Sequence, residues 1–96
     1  PHLEKEIRER DKVCVYCGCM FTAPKVSKKH SATWEHIVND ASIVTKENIA
    51  LCCCSCNASK GAKELSKWIE SDYCNRKGIT DKSVAPVIIE ALSKGL

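Results

Sequence analysis

The sequence predicts one small α+β domain, in which two short strands and a helix are fastened by a four-cysteine metal site and flanked by further helices. Three observations predict it. The chain has 96 residues and only five aromatic side chains, Tyr16, Phe21, Trp34, Trp68 and Tyr73, which make a thin core. A chain this short buries too little apolar surface to be comfortably stable, and chains of this size often recruit a staple. Eight cysteines offer one, and four of them form two C-x2-C pairs, Cys14/Cys17 and Cys53/Cys56. Finally, the apolar pattern changes along the chain between strand-like and helix-like runs.

The elements follow in order. Residues 3–12 are charged, with Leu3 and Ile7 four apart, and read as a short amphipathic helix. The run Val13 to Cys19 is a cysteine knuckle, in which Gly18 supplies the backbone freedom of a tight turn. Residues 22–31 form a polar, basic loop with Lys25, Lys28, Lys29 and His30. Residues 32–38 read as a strand, because Thr33, Trp34, Ile37 and Val38 favour extended backbone. A turn over residues 39–42 and a second short strand over residues 48–53 follow. The second knuckle then feeds a short helix that Gly61 interrupts. A stronger helix is expected over residues 62–77, with Leu65, Trp68, Ile69 and Tyr73 on one face and Gly78 as its stop. The last helix is expected over residues 83–93, capped by Ser83, with Pro86 in its first turn.

Cysteine this dense means disulfides in a secreted chain or metal in an intracellular one. The charged opening has no apolar h-region, which argues against a secretory signal. The run Cys52-Cys53-Cys54 suits disulfides poorly, because neighbours in a strand point to opposite faces. Eight cysteines allow about 105 pairings, and nothing selects one. Zinc takes four tetrahedral ligands and accepts thiolate well. It would join residues 14–17 to residues 53–56, with Cys53 and Cys56 as the pair separated by two residues. Cys19, Cys52, Cys54 and Cys74 are then read as small buried hydrophobes, with a second metal or a labile disulfide as the alternative. No apolar run reaches the roughly 18 residues of a membrane span. The net charge of +3 permits nucleic-acid binding without arguing for it.

Four motifs stand in register: Cys14-Val-Tyr-Cys17-Gly18, then Trp34-Glu35-His36-Ile37-Val38, then Asn48-Ile-Ala-Leu, then Cys53-Cys-Ser-Cys56-Asn57-Ala-Ser-Lys60-Gly61. Together they resemble the zinc-containing HNH endonucleases, over roughly residues 13–61. The resemblance implies a ββα-metal, treble-clef-like HNH domain in which the zinc is structural. It implies that His36 is the general base and that Glu35 and Asn57 hold one divalent cation, magnesium or manganese. It further implies that Asn48 braces the loop between the strands and helps orient His36. Lys60, Lys28, Lys29 and His30 would contact DNA. The implied setting is intracellular and cytoplasmic, bacterial or phage-like, with no membrane and no organic cofactor, and with other domains or subunits as a source of specificity.

The residues themselves are compatible with this chemistry. Phosphodiester cleavage needs an activated water, and histidine exchanges a proton near neutral pH. A carboxylate with an amide oxygen makes a hard-oxygen site, and two protein ligands leave positions for water and phosphate, as magnesium prefers. Glu35 stands where the family more often has Asp, and residues 38–46 lack the family's usual Pro and Gly. Glu35 and His36 are adjacent, so in a regular strand they face opposite ways unless the strand ends or bulges there.

Each site residue also has a plainer reading. His36 could be a half-buried polar residue, Glu35 a surface charge, Asn57 a helix cap, Asn48 a turn residue and Lys60 a solvated lysine. The basic loop could serve solubility alone. The expected function is hydrolysis of DNA phosphodiesters by one 96-residue HNH domain, nicking one strand with little sequence specificity. The rival is a zinc-stapled DNA- or protein-binding module without turnover. The third reading, a secreted disulfide protein, predicts no zinc and stability lost to reductant.

Overall fold

A computed structural model describes residues 2–96. Helix α1 spans His2–Arg10, strand β1 Ala32–His36 and strand β2 Ile49–Cys53. Helices α2 (Cys54–Lys60), α3 (Leu65–Trp68), α4 (Asp72–Lys77) and α5 (Pro86–Ser93) follow. The result is a small α+β unit with a Cα radius of gyration of 12.4 Å. No helix is long and apolar enough to cross a membrane.

The two strands pair antiparallel in unbroken register, from Ala32 opposite Cys53 to His36 opposite Ile49. Every residue of β2 is buried, because both of its faces carry core. On one face Ile49 and Leu51 pack with Ile7 of α1, beside Trp34. On the other, Ala50 and Cys52 join Tyr16, Leu65, Trp68, Cys74 and Ile88. The Trp68 ring anchors this second cluster, edge-on to Tyr16 at 4.8 Å and stacked on Tyr73 at 5.9 Å between centroids. Its indole N–H donates to Ser59 Oγ at 3.0 Å, so the buried ring leaves no polar atom unpaired.

Both outer edges of the sheet are occupied. Along β2, the Leu51 N–H donates to the buried Asp11 carboxylate at 3.0 Å. Its carbonyl accepts from Val15 N, and Arg10 donates to the Ile49 carbonyl. Along β1, helix α2 lies against the edge. Asn57 and Lys60, one helical turn apart, donate to the outward carbonyls of Trp34 (3.0 Å) and His36 (3.5 Å).

Two expected helices differ from the sequence reading. The helix over residues 62–77 is broken into α3 and α4, because the Ser71 hydroxyl accepts from Cys74 N and starts a new helix there. The helix expected from residue 83 begins at Pro86, with Ala85 as its uncapped start. Ser83 instead closes the preceding turn, where its hydroxyl accepts from Thr80 N at 2.8 Å.

Candidate metal centre and the surroundings of His36

The two knuckles meet. The sulfurs of Cys14, Cys17, Cys53 and Cys56 all lie within 4.8 Å of one another, and Cys17 Sγ is 3.8 Å from Cys53 Sγ. Four sulfurs at about 2.3 Å from a central zinc would stand about 3.8 Å apart, so the cluster has the size and donor chemistry of a tetrahedral zinc site. Each knuckle turns its own amide onto its first sulfur. Cys17 N donates to Cys14 Sγ, and Cys56 N donates to Cys53 Sγ, both at 3.4 Å. Gly18 closes the first turn at φ 75°, in the left-handed region.

The cluster also shows why a metal suits it. The hydrogen bond from the Cys56 thiol draws the Cys14 thiol down to a pKa of about 4. Its bond to Cys14, followed by burial, pushes Cys56 up, and burial pushes Cys53 up. A thiolate thus forms at Cys14 while Cys53 and Cys56 hold their protons, and a divalent cation in the centre would displace those protons.

The leftover cysteines are not members of the four-sulfur set, although the Cys19 thiol contacts Cys17, and only two of the four are the buried side chains expected. Cys52 and Cys74 are fully buried, and Cys19 and Cys54 are half-buried. Tyr73, expected only as core, reaches the cluster directly. Its hydroxyl donates to Cys56 Sγ at 3.3 Å and lies 2.9 Å from Ser55 Oγ. No sequence signal marks that contact, because helical spacing explains Tyr73 as a core residue without it.

The residues matched to the HNH motifs lie on β1, on α2 and just before β2. Asn48 is 4 % exposed and pins the loop between the strands. Its Oδ1 accepts from Val38 N at 2.7 Å, and its Nδ2 donates to the carbonyls of Val38 (3.2 Å) and Ile43 (3.1 Å). Its own carbonyl accepts from Ile37 N, the residue after His36. The plain turn reading therefore understates Asn48.

Asn57 is not the helix cap, since the Cys53 sulfur caps α2. Its Nδ2 donates to Thr33 Oγ1 and to the Trp34 carbonyl, both at 3.0 Å. Its Oδ1 has no hydrogen-bond partner among the described residues.

Glu35 is 4 % exposed, not a surface charge. Its Oε2 accepts from Tyr16 Oη at 2.6 Å and pairs with Lys60 Nζ at 3.1 Å. Burial, followed by the Glu35 charge, pushes the Tyr16 hydroxyl pKa well up, so Tyr16 stays a donor. Glu35 Oε1 has no hydrogen-bond partner among the described residues.

Lys60 corrects the sequence reading most sharply. Expected on DNA or in solvent, it is 0 % exposed. Its ammonium pairs with the Glu35 carboxylate and donates to the carbonyls of Ile37 (3.0 Å) and His36 (3.5 Å). A buried ammonium persists only when it is paired and hydrogen-bonded in this way, and it cannot reach a phosphate.

His36 closes β1, and its main chain is held from both sides by Lys60 and by the Asn48–Ile37 bond. Its imidazole, in contrast, makes no hydrogen bond within the described residues. It is half-buried and lines a cleft of about 190 Å³ with Trp34, Val44, Ile49 and the first turns of α1. The pairing through His36 is regular and has no bulge, so His36 and Glu35 face opposite sides of the sheet. Nearby Asp40 accepts from the Ser42 hydroxyl and amide, which draw its carboxyl down, and the charge of His36 adds to the effect.

Lys28, Lys29 and His30 are exposed on the basic loop. That loop packs on the start of α2, where Ser55 N donates to the Lys29 carbonyl and Cys54 N to the Ser31 carbonyl. His30 is tied by Nδ1 to Ser27 Oγ at 2.7 Å. The chain matches no protein-family model, no curated protein and no solved structure.

Proposed function

We propose that this chain is a metal-dependent endonuclease of the HNH kind that hydrolyses phosphodiesters in DNA, with His36 as general base. The observation that carries the reading is the contrast at His36. Its backbone is clamped by Asn48 and Lys60, while its ring nitrogens are unpaired and open to a cleft. A histidine kept for structure spends its ring nitrogens on partners, whereas a general base needs one free to take the proton of water.

Glu35 Oε1 and Asn57 Oδ1, both without hydrogen-bond partners among the described residues, are oxygen donors of the kind a hard cation takes. Magnesium or manganese held there would supply Lewis-acid stabilisation of phosphate charge. Because His36 and Glu35 lie on opposite faces of β1, a phosphate would have to sit at the strand end to meet both. Lys28 and Lys29 are suited to the DNA backbone, since residues 12–34 contain no acidic side chain to oppose them. The four-cysteine site fixes the knuckle before β1 relative to α2, and so supports both halves of the site.

A second reading, a zinc-stapled binding module without turnover, is favoured by one observation. Glu35 is already neutralised by Lys60 and does not share a face with His36.

The test is incubation of supercoiled plasmid with zinc-loaded protein and magnesium or manganese, beside a chelator control and a His36→Ala variant. Uncatalysed hydrolysis is too slow to give background. Open circles formed by wild type alone support the nuclease, and their appearance before linear product supports single-strand nicking. A folded wild type that cuts with neither cation overturns it in favour of the binding module.

A further inference from the structure

We propose that Lys60 is an internal counter-cation that competes with the divalent ion for Glu35 and so keeps the cation site weak and reversible. This rests on the reading of Glu35 and Asn57 as cation ligands. The argument starts from burial. Lys60 is fully buried and Glu35 nearly so, and their charges are 3.1 Å apart. Water is largely excluded, so the carboxylate has little solvent to share its charge with, and the pair is strongly coupled.

The pair is also directional. Lys60 Nζ and Tyr16 Oη both approach Oε2, which leaves Oε1 as the oxygen a second cation could reach. An ion bound at Oε1 would stand on the same carboxylate as a fixed ammonium, which would repel it. The Ile37 and His36 carbonyls hold that ammonium in place, so it cannot swing away when the ion arrives. In the wild type, therefore, the divalent ion binds against a charge the fold has built in. Removing that charge should tighten ion binding, even though it damages the protein in the ion's absence. A residue serving only as a structural prop would not tighten ion binding when removed.

The experiment titrates zinc-loaded protein with Mn2+ alone, reading free Mn2+ by electron paramagnetic resonance, and repeats thermal unfolding with and without Mn2+. Lys60→Met should bind Mn2+ roughly tenfold or more tightly than wild type. It should also be less stable than wild type without Mn2+, and gain more from Mn2+ than wild type does. Lys60→Gln, which can still donate to a main-chain carbonyl, is the second variant and should shift in the same direction. Equal or weaker Mn2+ binding by the folded variants, or no binding by any form, overturns the proposal. So do variants that stay unfolded in millimolar Mn2+, because an ion able to take the ammonium's place would restore them. Absence of plasmid nicking by wild type counts against the nuclease instead and leaves the Mn2+ titration decisive for Lys60.

Discussion

Replacing Asn48 by aspartate should destabilise the protein more than replacing it by alanine, although aspartate is the closer match in shape. Asn48 is buried and makes three side-chain hydrogen bonds, one as acceptor from Val38 N and two as donor to the carbonyls of Val38 and Ile43. Alanine removes all three, at about 1 kcal/mol each net, for a loss of about 3 kcal/mol. Aspartate keeps the acceptor but turns an oxygen towards two carbonyls, and it places a charge where water is scarce. The loss should then reach about 4 kcal/mol or more. With an m-value of about 1.5 kcal/mol per molar urea for a small protein, the alanine variant's midpoint falls by about 2 M. Urea unfolding of zinc-saturated wild type, Asn48→Ala and Asn48→Asp at one pH measures this. An aspartate variant more stable than the alanine variant would refute the claim that Asn48 Nδ2 is a buried donor.

Two further predictions concern the sulfur cluster. Tyr73→Phe keeps the stack on Trp68 but loses the hydrogen bond to Cys56 Sγ. Zinc affinity should fall roughly tenfold, the low end for loss of such a supporting partner, while circular dichroism stays native. A chelator competition that gives unchanged affinity would show that the hydroxyl does not support the site. Zinc should also be lost on acidification. The thiols of Cys53 and Cys56 are pushed above their ordinary range and must shed protons to bind the ion. Protons therefore compete better as pH falls, and the Cys14 thiolate, held at about 4, is the last to be recaptured. Zinc release followed with a colorimetric chelator should rise steadily from pH 8 to pH 5, and a flat profile would contradict the assignment.

The parts of the molecule legible in the sequence are those fixed by local spacing. The two-residue gap selects Cys53 and Cys56 from a run of neighbouring cysteines, and the same pair stands in the cluster. The strands lie within two residues of their expected ends, because β-branched and aromatic residues mark them. Asn48's own position reads only as a turn; the bracing role is implied by the resemblance alone, and the side chain makes three hydrogen bonds to residues 38 and 43 of that loop. What was not legible depends on distant partners. Lys60 reads as a phosphate contact or a solvated lysine, since nothing local reveals that α2 lies along β1 and carries its ammonium to Glu35. Glu35 is hidden for the same reason, because its other partner, Tyr16, sits in the first knuckle. The break at Ser71 was missed because the apolar period of Leu65, Trp68, Ile69 and Tyr73 runs through it. One serine hydroxyl was enough to restart the helix.

A sheet of two strands ordinarily leaves two rows of unpaired amides and carbonyls, a template for joining another chain and for aggregation. Here Asp11, Arg10 and Val15 bond the outward groups of Leu51 and Ile49 on one side, and Asn57 and Lys60 bond the Trp34 and His36 carbonyls on the other. The same contacts that hold the site thus also guard a β2 strand buried on both faces, and an apolar strand of that kind is an aggregation hazard once exposed. Damage at Lys60 or Asp11 would reach beyond the site it supports. It would open a sticky edge, and the first sign would be loss of the protein from solution at high concentration.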